Sequence, residues 1–213
     1  MKIKTIDELQ DLVDEDFIWR KKELIDIKLM IHSTNNLTLC RMGLALLCAH
    51  FEGFLKQSAN YYVVFISSQN LKISDLQTNF AAIYSSKLFQ SCINTEKISV
   101  FQNMINDFLD NYMNVNFNVK YSSEKPIIKT GGNPSSTVFK EIFNSIGLDF
   151  TPYITKINYI DTDLLSNRHS VVHGEKTYIK IDEFDSTLKN IICIMQNIKD
   201  QIIDAAMNKK YLR

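Results

Sequence analysis

Proline is nearly missing from this chain, with three in 213 residues, and glycine is scarce, with six. Both residues interrupt regular structure, so their rarity leaves room for long unbroken helices. Charge of one sign is missing too. Twenty-four Lys and Arg balance 24 Asp and Glu, and without a positive excess, strong non-specific attachment to DNA or to an anionic membrane is not expected. A local basic patch remains compatible with that balance. Paired cysteines are absent. Cys40, Cys48, Cys92 and Cys193 form no C-x-x-C motif and sit at no metal-ligand spacing from a histidine, which predicts buried reduced thiols rather than a disulfide framework or a zinc site. The first residues lack the apolar run of a secretory signal. The most apolar segment, Met42 to Ile66, carries His50, Glu52, Lys56 and Gln57 and is therefore read as a core helix rather than a membrane span. A cytoplasmic chain is expected.

Amphipathic periodicity fills much of the remainder. Ile6, Leu9, Val13, Phe17, Leu24, Ile27 and Ile31 recur at helical spacing, with Arg20 in the one gap, and Thr5 with Glu8 can form a capping box. A first helix from about Thr5 to Ile31 follows. Asn35 and Asn36 break the chain, and the next helix carries Cys40, Leu44, Leu47, Phe51, Leu55 and Tyr62 on one face. Small residues off that stripe, Gly43, Ala45, Ala49 and Gly53, would let another helix or protomer approach closely. At 100° per residue, His50 and Glu52 lie on opposite edges of the stripe and cannot serve one small site together.

Short helices are predicted at Asp75 to Tyr84 and Ser86 to Cys92, and a longer one from Thr95 to Tyr112. Val115, Phe117 and Val119 then alternate with polar residues, the repeat of a half-buried strand, and Pro126-Ile127-Ile128 could return against it as a small hairpin. A helix from Pro134 to Ile146 should end at Gly147. Asn158 to Val172 reads as one helix. The last helix follows Ile181 with Asp182 as its cap, and its stripe runs through Phe184, Leu188, Ile191, Met195, Ile198, Ile202 and Ala205. The basic tail from Lys209 to Arg213 is expected to fray. No internal repeat or linker divides the chain, so residues 1–213 are taken as one domain.

Polar chemistry concentrates at Asn167-Arg168-His169-Ser170-Val171-Val172-His173-Gly174. Arg168 falls on the apolar stripe of its helix with Ile160, Leu164 and Val171, so it needs a carboxylate such as Asp161 or Glu52, a cleft, or a subunit interface. His173 would diverge from Arg168 on a straight helix. Gly174 can end the helix in a left-handed cap, freeing His173 to turn back, and a second protomer could also complete the pair. An imidazole titrates close to neutral pH and can take the proton of a ribose 2′-hydroxyl, while a fixed guanidinium can hold the phosphate oxygens. No metal or other cofactor is required, because the nucleophile belongs to the substrate.

The segment Leu164 to Glu175 resembles the signature of the HEPN superfamily, in which an arginine, a polar residue and a histidine close a bundle helix. Ala49-His50-Phe51-Glu52-Gly53-Phe54 is similar to its counterpart in a bacterial branch of HEPN-like nucleases, and His169 stands where asparagine is commoner. The resemblance implies an all-α bundle of long antiparallel helices, with room for one short hairpin. It also implies a homodimer with facing motif helices and metal-independent endoribonuclease activity on RNA. Such activity would belong to a toxin with a cognate antitoxin, or to a phage-defence system. Arg168 and His173 would be catalytic. His169 and Asn167 would support them, with Glu52 and His50 in softer supporting roles. The alternative is a silent HEPN-type module that binds RNA, a nucleotide or a protein partner.

Overall fold

The computed structural model describes residues 1–90, 92, 95–112 and 114–213. Its α-helices are α1 (Ile6–Thr34), α2 (Leu37–Ser68), α3 (Thr78–Gln90), α4 (Ile98–Tyr112), α5 (Ser136–Ile146), α6 (Asn167–Val172) and α7 (Ile181–Met207). No sheet forms among the described residues, where pairing is limited to isolated bridges. The helix α2 is the axis of the bundle, packed by α1, α7, α6 and α5. It is long and apolar enough to cross a membrane by length and composition, and here most of its apolar side chains from Cys40 to Ile66 are core residues, with Met42 exposed.

Local signals set most of the ends. Thr5 and Glu8 make the expected capping box on α1, Asn35 ends it in the left-handed conformation, and the side chain of Asn36 caps α2. Gly147 closes α5 at φ +72°. The predicted stripe of α7 is buried throughout. Two small residues of α2 serve intrachain packing: Gly43 faces the Phe184 ring, and Gly53 faces the Arg20 guanidinium, which an added Cβ would strike. Cys40, Cys48 and Cys92 are buried as expected, but Cys193 is exposed.

Several expectations need correction. The segment around Phe117 is extended, yet it makes no hairpin with residues 126–128. It runs instead beside the chain leaving α2, with Ile73 N–H donating to the Val115 carbonyl at 3.1 Å and Phe117 N–H to the Leu71 carbonyl at 2.8 Å. Residues 126–128 are taken by α2 itself: the buried Asn60 side chain accepts from the Ile127 and Ile128 amides and donates to the Ile128 carbonyl. In place of two short helices around Tyr84, one helix, α3, follows a single 3-10 turn at Ile73–Asp75. Part of the second expected helix, at Ser91, lies outside the described residues. The α7 terminus is closed by Glu183 accepting from the Lys180 amide at 3.1 Å, not by Asp182. The tail is anchored rather than frayed, because Tyr211 is buried and its carbonyl accepts from the Gln77 amide at 2.9 Å.

Beneath α5 lies an aromatic nest. Phe139 is fully buried, with ring centroids of Phe143, Tyr153, Phe150 and Phe51 at 4.6, 4.8, 5.1 and 5.9 Å. Truncating a fully buried phenylalanine removes its transfer energy and leaves a cavity. Phe139→Ala is expected to cost about 3–5 kcal/mol in denaturant unfolding, and a loss below about 1 kcal/mol would contradict this packing.

Candidate functional site

The predicted single helix from Asn158 to Val172 is two pieces, a π-helical stretch at Tyr159–Ser166 and then α6, with a separate 3-10 turn at Thr151–Lys156 before them. Each π turn takes up about one residue more than an α turn, so side chains before Ser166 drift out of register with those after it. That drift removes Asp161 from the face of Arg168. Asp161 binds the start of α5 instead, accepting from the Ser136 amide at 2.8 Å and from the Ser136 hydroxyl. Ile160 and Leu164 stay in the core.

Arg168 is half-buried on α6, and among the described residues it makes no hydrogen bond or ion pair. Neither proposed carboxylate partner pairs with it. Its charge is nonetheless felt on α2. Burial pushes the Cys48 thiol up to about 11, with Arg168 opposing that rise and Glu52 adding to it. Glu52 accepts a hydrogen bond from the Thr130 hydroxyl at 2.5 Å, which ties the Thr130-Gly131-Gly132 loop to α2 beside Cys48.

The end of α6 is a Schellman cap. Gly174 has φ +73°, its N–H donates to the Val171 carbonyl at 3.2 Å, and Glu175 N–H donates to the Ser170 carbonyl at 2.9 Å. His173 is therefore the last residue before the chain turns away, as its glycine neighbour predicts. Its exposed ring lies over that of His169, with centroids 4.2 Å apart at 49°. Among the described residues no hydrogen bond joins His173 to Arg168. Asn167 secures the start of α6, donating from Nδ2 to the Asp163 carbonyl at 3.0 Å. An added Cβ at Gly174 would meet no atom within 4 Å, so Gly174→Ala costs only the left-handed backbone, about 1–2 kcal/mol. That loss should register in denaturant unfolding, and an unchanged midpoint would argue against the positive φ.

His50 belongs elsewhere, as the helical angles require. It is buried on the α1 side of α2, its Nε2 sits 2.8 Å from a Glu23 carboxylate oxygen, and the Trp19 ring packs edge-on at 5.2 Å. The contact is an ion pair only while the imidazole is protonated. Burial holds the His50 pKa below its ordinary value, partly offset by Glu23. Arg20 completes this separate cluster, paired with Asp16 at 3.0 Å.

Sequence reasoning missed Arg41 and Thr130. Arg41 Nη2 donates to the Glu175 carbonyl at 2.9 Å, holding the chain just beyond the cap. The signal was present: Arg41, Cys48 and Glu52 are spaced seven and four apart, one face of α2. Thr130 had no comparable periodic signal. Among the described residues no three His, Cys, Asp or Glu side chains group as metal ligands.

HEPN domains are all-α, as this bundle is. The chain belongs to the RiboL-PSP-HEPN family, whose model matches residues 15–204, from within α1 to near the end of α7. HEPN domains are generally nucleotide-binding or ribonuclease modules. No curated protein and no solved structure matches the chain.

Proposed function

We propose that this chain, as one HEPN domain over residues 1–213, is a metal-independent endoribonuclease that works as a homodimer. The observation that carries the reading is Arg168, a half-buried guanidinium with no hydrogen-bond or ion-pair partner among the described residues, on the short helix that carries His169 and ends at His173, whose rings pair in the open. A cation left without a carboxylate in a partly desolvated position favours an anionic ligand, and a guanidinium matches phosphate oxygens in charge and geometry. His173 takes the proton of the ribose 2′-hydroxyl. The 2′-oxygen attacks the adjacent phosphorus, the bond from phosphorus to the 5′-oxygen breaks, and the leaving oxygen takes a proton from solvent. Arg168 stabilises the charge that gathers on the non-bridging oxygens. His169 and Asn167 hold α6 and its terminus. Glu52 acts through the Thr130 loop and its field at Cys48. The His50 cluster fixes α1 to α2 and takes no part in the chemistry.

In this reading, two α6 segments face one another across the dimer axis, so each phosphate meets charge from both protomers. A cytoplasmic role as a toxin held by a cognate antitoxin, or as a phage-defence effector, fits an RNA-cutting activity. The test has two parts. The purified chain should cut single-stranded RNA, and it should sediment at twice its 24.7 kDa. Sedimentation as monomer only, at high concentration, would remove the dimer from the account. A folded dimer that binds RNA and never cuts it would replace the nuclease with a binding module.

A further inference from the structure

A cavity of about 980 Å³ lies away from α6, between the N-terminal segment, the C-terminal end of α2 and the extended segment 114–120. Counted along α2, it starts roughly 20 Å beyond Glu52. Its volume is at the upper end of the range for small-molecule sites. Its lining is one-sided in charge: Lys2, Lys4 and Lys120 contribute, and no aspartate or glutamate does. That imbalance stands out in a chain whose formal charges cancel. Among the described residues, none of the three ammonium groups donates a hydrogen bond or sits in an ion pair.

The plain alternative is that these lysines neutralise the negative end of the α2 dipole. Three carbonyls near the end of α2 argue otherwise, because they already have donors. Ser68 Oγ donates to the Val64 carbonyl, Gln69 Nε2 to the Phe65 carbonyl, and the Gln69 amide to the Ile66 carbonyl. The nearby Glu8 is also committed, since its carboxylate accepts from the Lys4 and Thr5 amides. Lys2 and Lys120 are thus left for a ligand, while the Lys4 ammonium also lies in the field of Glu8, whose pKa it helps to lower. Between them the cavity offers the half-buried Val115 and Val119 as apolar surface, with the half-buried Tyr84 as a stacking ring. Asn118 makes no side-chain hydrogen bond among the described residues, so its amide remains available to donate and accept.

We infer that this cavity is a second site, for the phosphate of a nucleotide, with the lysines on the phosphate and the base against Tyr84 and the apolar wall. The same chemistry is carried by a free mononucleotide and by single-stranded RNA, since stacking with cationic backbone contact serves both. The inference does not depend on cleavage at α6.

The test uses two probes that this chemistry cannot destroy: uridine 5′-monophosphate, and a fluorescent 2′-O-methyl decauridylate lacking the 2′-hydroxyl nucleophile. Binding to the full chain is measured by calorimetry and anisotropy across a salt series. The double variant Lys4→Glu/Lys120→Glu should bind at least about tenfold more weakly. Its log–log salt slope for the decanucleotide should be shallower by about one to two units. Both lysines are exposed, so the fold should persist. Lys189→Glu on α7 alters net charge away from the cavity and should leave binding within about twofold of wild type. Binding of both probes with this dependence supports a nucleotide site, and binding of the decanucleotide alone supports an RNA-holding site. Binding of neither probe at low salt, or equal weakening by Lys189→Glu, or no change in the double variant, would overturn the inference.

Discussion

Replacing His173 with alanine should slow RNA cleavage by about 10²–10⁴-fold, the usual worth of a positioned proton acceptor. The fold should hardly change. The bonds that stop α6 are made by main-chain groups, from Gly174 to Val171 and from Glu175 to Ser170, and the His173 ring is exposed against His169 alone. Removing it empties no core space and strands no buried partner. The decisive comparison is single-turnover cleavage beside unfolding: a large rate loss at unchanged midpoint is expected. An unchanged rate would take the imidazole out of the mechanism.

Arg168→Ala should cost about 10²–10³-fold in kcat, as for loss of one donor that stabilises transition-state charge, and it should raise KM as the phosphate contact disappears. Had Arg168 been paired with Asp161 or Glu52, its removal would also have left a carboxylate buried and unmatched, with a large stability penalty. Asp161 is held by Ser136 and Glu52 by Thr130. The expected change in stability is therefore small, about 1 kcal/mol or less, arising from lost packing of the side-chain stem. Arg168→Lys keeps the charge without the planar fork, so it should recover KM more than kcat. Destabilisation of several kcal/mol in Arg168→Ala would mean that the guanidinium is structural.

The long helices were legible because each buries a stripe whose period the sequence repeats. The α7 stripe is buried residue for residue, and the α1 capping box needed only Thr5 and Glu8. What failed was what depends on distant partners. The alternation at Val115, Phe117 and Val119 reports an extended chain with one face inward, and it cannot say whether the pairing strand is residues 126–128 or Leu71–Ile73. Asn60, one polar residue inside an apolar helix, decided that by capturing Ile127 and Ile128. The tail looked loose from its charge alone, yet Tyr211 gave it an anchor in the core.

The same division holds at the candidate site. Gly174 carried enough information to place the end of α6, and the 100° step was enough to separate His50 from Glu52. The π-helical stretch was not legible, because a stripe of three apolar residues fits either helix. That stretch is what sends Asp161 to Ser136 and leaves Arg168 without a carboxylate.

The most direct measurement is the chemistry of the cut ends. Single-stranded RNA is incubated with purified protein in excess chelator, and the products are analysed by mass spectrometry. Attack by the ribose 2′-oxygen must leave a 2′,3′-cyclic phosphate and a 5′-hydroxyl, with activity undiminished by the chelator. Cleavage that stops on chelation, or products ending in a 5′-phosphate and a 3′-hydroxyl, would contradict the Arg168–His173 mechanism.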